Sequence, residues 1–193
     1  MILANFAVTR HQTWTTANET SRAFTDIPLE RPGYYFGIFA GHSVIFLGSN
    51  EKRDGEGITI GYGENFPGLR FQRYPGEFVL ELSGDISHGG GFDIYQPNQR
   101  VGVSLLPLSR WRGRPRHNAS LFFDAGIGLF FRNPTADVNS FISTQPTIDL
   151  GVSWNRGSHE WLVGLRLRHS SNGGTKGPNA GENFLNCFLD YRF

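Results

Sequence analysis

The sequence predicts an all-β protein that folds as an eight-stranded antiparallel barrel. Glycine occurs 25 times in 193 residues, aromatic residues make up 14%, and Met and Cys occur once each, a composition that favours strands over helices. Stretches in which apolar and polar residues alternate recur along the chain, separated by turn residues. We therefore predict one barrel domain over residues 34–193. Residues 1–33 have no clear period and are predicted to form an N-terminal arm or an extra strand.

The composition excludes several classes of protein. The net charge is +1, whereas a nucleic-acid-binding protein needs a basic face. The sequence contains no run of eighteen apolar residues, so no helix is expected to cross a membrane, and the single cysteine, Cys187, cannot form an internal disulfide. No histidine has metal-ligand spacing to another His or Cys. We therefore expect neither a metal nor a cofactor.

The first four predicted strands come from short alternating or apolar segments. They cover residues 34–47, 57–63, 78–86 and 101–108. The first is a long apolar stretch. In the third, Leu80 and Leu82 share one face while Glu81 and Asp85 share the other. The second and fourth are the shortest of the set.

The last four predicted strands alternate more regularly. They cover residues 121–131, 147–154, 161–171 and 184–193. In the fifth strand, Leu121, Phe123 and Leu129 lie on the face opposite Asp124 and Gly128. Several of the eight strands are 9–11 residues long, which is enough for a tilted strand to cross a bilayer.

The apolar face of each strand can belong to either of two kinds of barrel. A soluble, lipocalin-like carrier of an apolar ligand turns this face inward, whereas a membrane barrel turns it towards lipid. The C-terminal stretch "FLNCFLDYRF" places Leu185, Cys187, Leu189, Tyr191 and Phe193 on one face. This pattern, which ends on Phe, resembles the last strand of bacterial outer-membrane barrels. We predict a transmembrane barrel of the outer-membrane type, with the soluble carrier as an alternative.

An eight-stranded outer-membrane barrel has both termini in the periplasm and strands that alternate in direction. The outer loops then cover 48–56, 87–100, 132–145 and 172–183. The inner turns cover 64–77, 109–120 and 155–160. The basic segment "SRWRGRPRHN" at 109–118 is predicted to be a solvated inner turn, and charged residues on the polar faces are predicted to pair in the lumen. The start, "MILANFAVTRHQTW", lacks the basic-then-apolar pattern of a secretory signal, so we expect the signal to be absent from this chain.

A candidate catalytic pair lies in the stretch "RHSSNGGTKGPNAGENF" at 168–184. His169 and Ser171 share a face with the apolar residues of the seventh strand, which in a membrane barrel is the lipid-facing side. Polar residues are uncommon there. Side chains two residues apart on a strand are roughly 6.5–7 Å apart at the backbone, close enough for a nucleophile and its base. The alternative is that both residues only mark the headgroup boundary.

The stretch "HSSNGGTKGPNAGEN" resembles the signature of the lipid A 3-O-deacylases, the PagL-type outer-membrane acyl hydrolases. That signature reads His-x-Ser-Asn-x-Gly, a short spacer, then Pro-Asn-x-Gly-x-Glu. The segment "FFDAGIGLFF" also resembles the Gly-rich strand of the family. The resemblance is clearest over 118–193 and is only architectural over 34–108. It implies an outer-membrane esterase that hydrolyses the 3-O-linked acyl chain of lipid A, with lipopolysaccharide as both substrate and surroundings. A homodimer is left open.

The resemblance also implies roles for single residues. Ser171 would be the nucleophile and His169 the general base. Asn172 and the backbone N–H of Gly174 would bind the oxyanion.

The third member of the triad is where this sequence departs from the family. The family Glu falls on Asn183, and the chain has its glutamate one residue earlier, at Glu182. A shift of one residue reverses the face of a regular strand. Either the loop shifts so that Glu182 orients His169, which we favour, or Asn183 holds the imidazole as Asn does in Cys-His-Asn proteases. A third alternative is an inactive relative, a non-catalytic small outer-membrane barrel.

Overall fold

Eight antiparallel strands close into a barrel in this protein, as the sequence predicts. The computed structural model describes residues 32–44, 53–66, 68–69, 71, 74, 76–89, 99–133, 140–175 and 181–193. The strands are β1 (Gly33–Ser43), β2 (Arg53–Asn65), β3 (Gly76–Gly89), β4 (Arg100–Arg112), β5 (Ala119–Arg132), β6 (Ile142–Arg156), β7 (His159–Ser170) and β8 (Glu182–Arg192). Each strand pairs with its neighbours in sequence, and β1 pairs with β8 to close the barrel. Within the described residues, no helix has the length and apolar character that a membrane span requires.

The two ends of the barrel differ in their connections. We call the end where β1–β2, β3–β4, β5–β6 and β7–β8 are joined the upper end, and the opposite end the lower end. Gly33 and Phe193 both lie at the lower end, where the Phe193 N–H donates to the carbonyl of Tyr34. The predicted arm or extra strand over 1–33 lies outside the described residues except for its last two, of which Gly33 begins β1.

The basic segment 109–118 differs from its prediction as a solvated turn. Its first four residues continue β4, and the side chains of Arg110 and Arg112 are buried in the lumen. The reason is that the arginines alternate with Ser109 and Trp111, which keeps the period of the strand. Residues 114–118 are exposed, as predicted for a solvated turn. They end in a tight turn in which His117 and Asn118 both adopt positive φ, as a type I′ hairpin turn requires.

The outer wall of the barrel is apolar. The inward and outward positions alternate along every strand, and large aliphatic and aromatic side chains occupy the exposed ones. At the lower end, aromatic rings on neighbouring strands contact each other: Trp154 stacks on Trp161 at 6.3 Å, and Trp161 contacts Tyr191 at 4.7 Å. An apolar band bounded by aromatic residues is typical of a wall that faces lipid. The soluble carrier alternative, which requires an apolar interior, is therefore wrong.

The lumen contains ion pairs and aromatic side chains. Many of the aromatic rings lie beside a glycine of the neighbouring strand. Arg110 pairs with Asp124 at 2.7 Å, and Arg166 pairs with Asp149 at 2.7 Å and also with Glu81. The aromatic rings lie between these pairs, with the Arg166 guanidinium over a ring at 5.1 Å. A Cβ built on inward glycines would lie 2.1–2.6 Å from a ring carbon of the neighbouring strand, as at Gly57, Gly61, Gly102 and Gly151. The predicted pairing of charges in the lumen is confirmed for Arg166 and Asp149, whereas Arg110 was predicted to lie in a solvated turn.

Removing the cation from the centre of this network is expected to destabilise the barrel. Arg166→Met leaves Glu81 and Asp149 buried with less compensation, so we expect the free energy of unfolding to fall by about 3–5 kcal/mol. Urea unfolding of the barrel in detergent micelles, followed by tryptophan fluorescence, measures the change. The control is Asp54→Asn, which removes an exposed pair with His42 and should cost about 1 kcal/mol or less. Equal stability of Arg166→Met and the parent would contradict the argument.

Candidate active site

The candidate catalytic residues lie where the upper ends of β7 and β8 meet. The register of this strand pair places His169 opposite Asn183 and Ser170 opposite Glu182. Along β7 the even positions are buried in the lumen, and the odd positions, including His169, are turned to the outer face. Ser171 follows directly on the outward parity and is half-buried, as His169 is. The structure therefore brings His169 and Ser171 to one face of the wall.

The backbone of Ser171 is held by β6. Its N–H donates to the carbonyl of Thr144 at 3.1 Å, and its carbonyl accepts from the Thr144 N–H at 2.8 Å and from the Thr144 hydroxyl at 3.1 Å. Three hydrogen bonds fix this residue just past the end of β7, so the position of its hydroxyl relative to His169 depends on one side-chain rotation.

His169 is hydrogen-bonded to Asn183. The distance from His169 Nδ1 to Asn183 Oδ1 is 2.7 Å, and the Asn183 side chain is only 1% exposed. An amide oxygen can only accept, so the imidazole donates through Nδ1–H. This tautomer leaves the lone pair on Nε2, which is the atom that a general base needs.

Glu182 lies on the opposite side of the wall from His169. Its carboxylate is 5% exposed and forms ion pairs with Arg132 and Arg100 in the lumen. The expectation that a loop shift would bring Glu182 to the imidazole is not met, because β8 begins at Glu182 itself and is regular from there. Regular alternation then turns Asn183 outward and Glu182 inward. The two arginines and the carboxylate form a group that we call the lumenal clamp.

Gly181 packs against the imidazole ring. Its φ is +68°, in the left-handed region, and a Cβ built on it would lie 2.8 Å from His169 Cε1. A side chain at this position would therefore both strain the backbone and displace the ring. Glycine here lets the end of the β7–β8 connection close over His169.

The two proposed oxyanion residues are bonded to each other. The N–H of Gly174 donates to Asn172 Oδ1 at 2.9 Å, and the Asn172 carbonyl accepts from the Thr175 N–H at 3.2 Å. Gly173 and Gly174 both have positive φ, which forms the tight turn. The turn therefore orients the Asn172 side chain, and in this structure the Gly174 N–H is engaged by that side chain.

Some residues of the site could not be identified from the sequence. Thr144 falls within a predicted outer loop, and Arg100 and Arg132 are far from Glu182 along the chain, so no local pattern connects them. Gly181 stands inside the quoted motif, and the signal for a left-handed position was only that glycine adopts this conformation readily. Among the described residues, no group of three or more His, Cys, Asp or Glu side chains could hold a metal ion.

Comparison with known proteins places this geometry in a family. Among curated protein sequences, none matches this chain at a significant level. Among the solved structures that match this chain are the outer membrane enzyme PagL, at 19% identity with a TM-score of 0.56, and Neisserial surface protein A (NspA), at 16% identity with a TM-score of 0.53. The matches extend over 81% and 83% of this chain, respectively, and over 97% of the length of each of the two known structures.

These two structures establish the outer-membrane barrel fold but do not by themselves assign a function, since one is described as an enzyme and the other as a surface protein. The sequence profile of the lipid A 3-O-deacylase (PagL) family matches residues 53–192. This match spans more than half of the chain and includes the His169–Asn183 segment. The chain belongs to the lipid A 3-O-deacylase (PagL) family.

Proposed function

We propose that this protein is a serine esterase of the bacterial outer membrane that removes the 3-O-linked acyl chain of lipid A. The observation that carries the proposal is the 2.7 Å hydrogen bond between His169 Nδ1 and Asn183 Oδ1, on the same outward face as Ser171. A base with a fixed tautomer beside a serine is the arrangement that acyl transfer needs. The family match supports lipid A as the substrate.

The proposed reaction proceeds in two halves. Ser171 Oγ attacks the ester carbonyl while His169 Nε2 takes its proton, and a tetrahedral oxyanion forms. The C–O bond to the sugar then breaks, and His169 returns the proton to the leaving alkoxide, which leaves an acyl-serine. In the second half, water attacks the acyl-serine with His169 again as base, and the fatty acid departs as Ser171 is regenerated.

Asn183 is proposed as the third member of the triad. Its amide oxygen fixes the ring and the tautomer, but a neutral amide stabilises the imidazolium of the transition state less than a carboxylate does. The proposed site is therefore a serine–histidine–asparagine triad of modest strength. This is also the feature that favours the second candidate function, a non-catalytic barrel.

The oxyanion is proposed to be bound by the side-chain amide of Asn172. Its buried side chain is held by the Gly174 N–H through Oδ1, and a donor that is oriented before the reaction stabilises developing charge without reorganisation. Gly174 would then contribute by holding Asn172.

The location of the site supports a substrate that lies in the membrane. His169 and Ser171 are at the upper end of an apolar outer wall on which Leu165 and Leu185 are exposed. We place this upper end in the outer leaflet, where lipopolysaccharide would present its acyl ester at the level of the serine while its chains lie along the apolar band.

Replacing Ser171 tests the proposal directly. Ser171→Ala removes the nucleophile, and we expect deacylation to fall by at least about 10³-fold. Mass spectrometry of lipid A from cells expressing the barrel measures the loss of one 3-hydroxyacyl unit. Ser170→Ala is the matched control, because this adjacent serine is buried in the lumen and should leave deacylation unchanged. Intact lipid A with a folded parent barrel would instead support the non-catalytic barrel.

The identity of residue 183 should set the rate. Asn183→Asp is isosteric and places a carboxylate at the same distance from His169 Nδ1, so we expect kcat to rise about tenfold, the effect of roughly 1.4 kcal/mol of added charge stabilisation. Asn183→Ala removes the hydrogen bond and should lower kcat by about tenfold or more. The measurement is the rate at which each variant deacylates lipid A in detergent micelles. An Asp variant slower than the parent would argue against the role of Asn183.

Gly181 should be required for the position of His169. Gly181→Ala forces a methyl group against the imidazole, so we expect kcat to fall by about 10²-fold, the cost of a misplacement near 1 Å. Gly157→Ala controls for backbone strain alone, because Gly157 has the same φ of +68° and a Cβ there would meet nothing within 4 Å. If both variants lose activity equally, contact with the ring is not the reason that glycine is needed.

A further inference from the structure

The lumenal clamp joins the start of β8 to the far side of the barrel. Glu182 is the first residue of β8, which pairs only with β1 and β7. Its partners Arg100 and Arg132 belong to β4 and β5, the first and last residues of those strands. The carboxylate therefore spans the lumen at its upper end, directly behind the outward site.

The lumenal clamp holds Glu182, the residue directly before Asn183, at the point where β8 begins. Gly181, with its left-handed backbone, immediately precedes Glu182. The next residue, Asn183, turns its side chain outward. Its backbone carbonyl accepts a hydrogen bond from the Val44 N–H at 2.9 Å. A slip of one residue at this point would exchange the two faces. It would place a carboxylate against lipid and take it away from the buried Arg132 and the partly buried Arg100, which is a large cost.

We propose that Glu182 is a positioning residue that fixes which side chain faces His169. Its ion pairs with Arg100 and Arg132 hold β8 in the register that presents Asn183 to the imidazole. This inference rests on the proposed function, in which His169 is the base of the esterase. The position of the imidazole can nevertheless be measured in a protein without activity.

A merely structural ion pair at the other end of the barrel provides the matched control. Glu160 is also buried in the lumen and also pairs with an arginine, Arg112, at 3.1 Å. It is the second residue of β7, at the lower end of the barrel. Glu160→Gln and Glu182→Gln make the same chemical change at opposite ends of the same lumen, so a general loss of barrel stability should appear in both.

The first readout is a double-mutant cycle on the steady-state rate. Glu182→Gln should lower kcat by about tenfold with little change in KM, and by no more than Asn183→Ala does, because it misplaces the group that Asn183→Ala removes. Glu160→Gln should keep the parental kcat. If Glu182 acts through Asn183, the Glu182→Gln/Asn183→Ala double variant should be no slower than Asn183→Ala alone. Independent, multiplicative losses would overturn the proposal.

The second readout does not need activity. The ¹⁵N spectrum of the histidine-labelled barrel in micelles, with the His169 signal assigned through His169→Gln, reports which ring nitrogen carries the proton. The parent should show protonated Nδ1, and both Glu182→Gln and Asn183→Ala should lose that preference, whereas Glu160→Gln should retain it. Arg132→Gln weakens the same ion pair from the opposite strand and should behave as Glu182→Gln does. It provides the test if Glu182→Gln does not fold.

The two readouts separate the two proposals. A parent without esterase activity whose spectra follow the expected pattern would overturn the proposed function and leave the positioning role of Glu182 standing. An unchanged His169 spectrum in folded Glu182→Gln and Arg132→Gln would overturn the positioning role, whatever the activity of the parent.

Discussion

The arginines buried in the lumen are the constraint on which this structure depends. A guanidinium cannot be deprotonated at ordinary pH, and an uncompensated charge in such an interior is very costly. Each strand that carries an inward arginine therefore needs a carboxylate on a neighbouring or facing strand. Arg110 with Asp124, and Arg166 with Asp149 and Glu81, meet this requirement in the middle of the barrel. Such pairs fix strand registers as well as charges.

The alternation of strand faces separates two tasks along a single stretch of chain. Ser170 and Glu182 are turned inward, where Ser170 accepts a hydrogen bond from Gln145 at 3.3 Å and Glu182 pairs with arginines. His169 and Asn183 are turned outward, towards the proposed substrate. The electrostatic anchoring and the proposed chemistry therefore lie on opposite sides of one wall.

The sequence was sufficient for the parts of the structure that depend on local alternation. Strand number, the outward face of β8 and the shared face of His169 and Ser171 all follow from period two. The choice between Glu182 and Asn183 did not follow, because it depends on Arg100 and Arg132, which come from distant strands. The prediction of a solvated turn was wrong for residues 109–112 for a similar reason, because a run of arginines indicates solvent unless their partners across the lumen are known.

The pairing of inward glycines with aromatic rings has a consequence for how such a barrel can diverge. Phe39 fills the space beside Gly57, and Tyr35 fills the space beside Gly61, so each glycine and its ring occupy one shared volume. A larger residue can replace the glycine only when the ring shrinks at the same time. Substitutions in the lumen should therefore accumulate as exchanges between adjacent strands, while the lipid-facing positions drift one at a time.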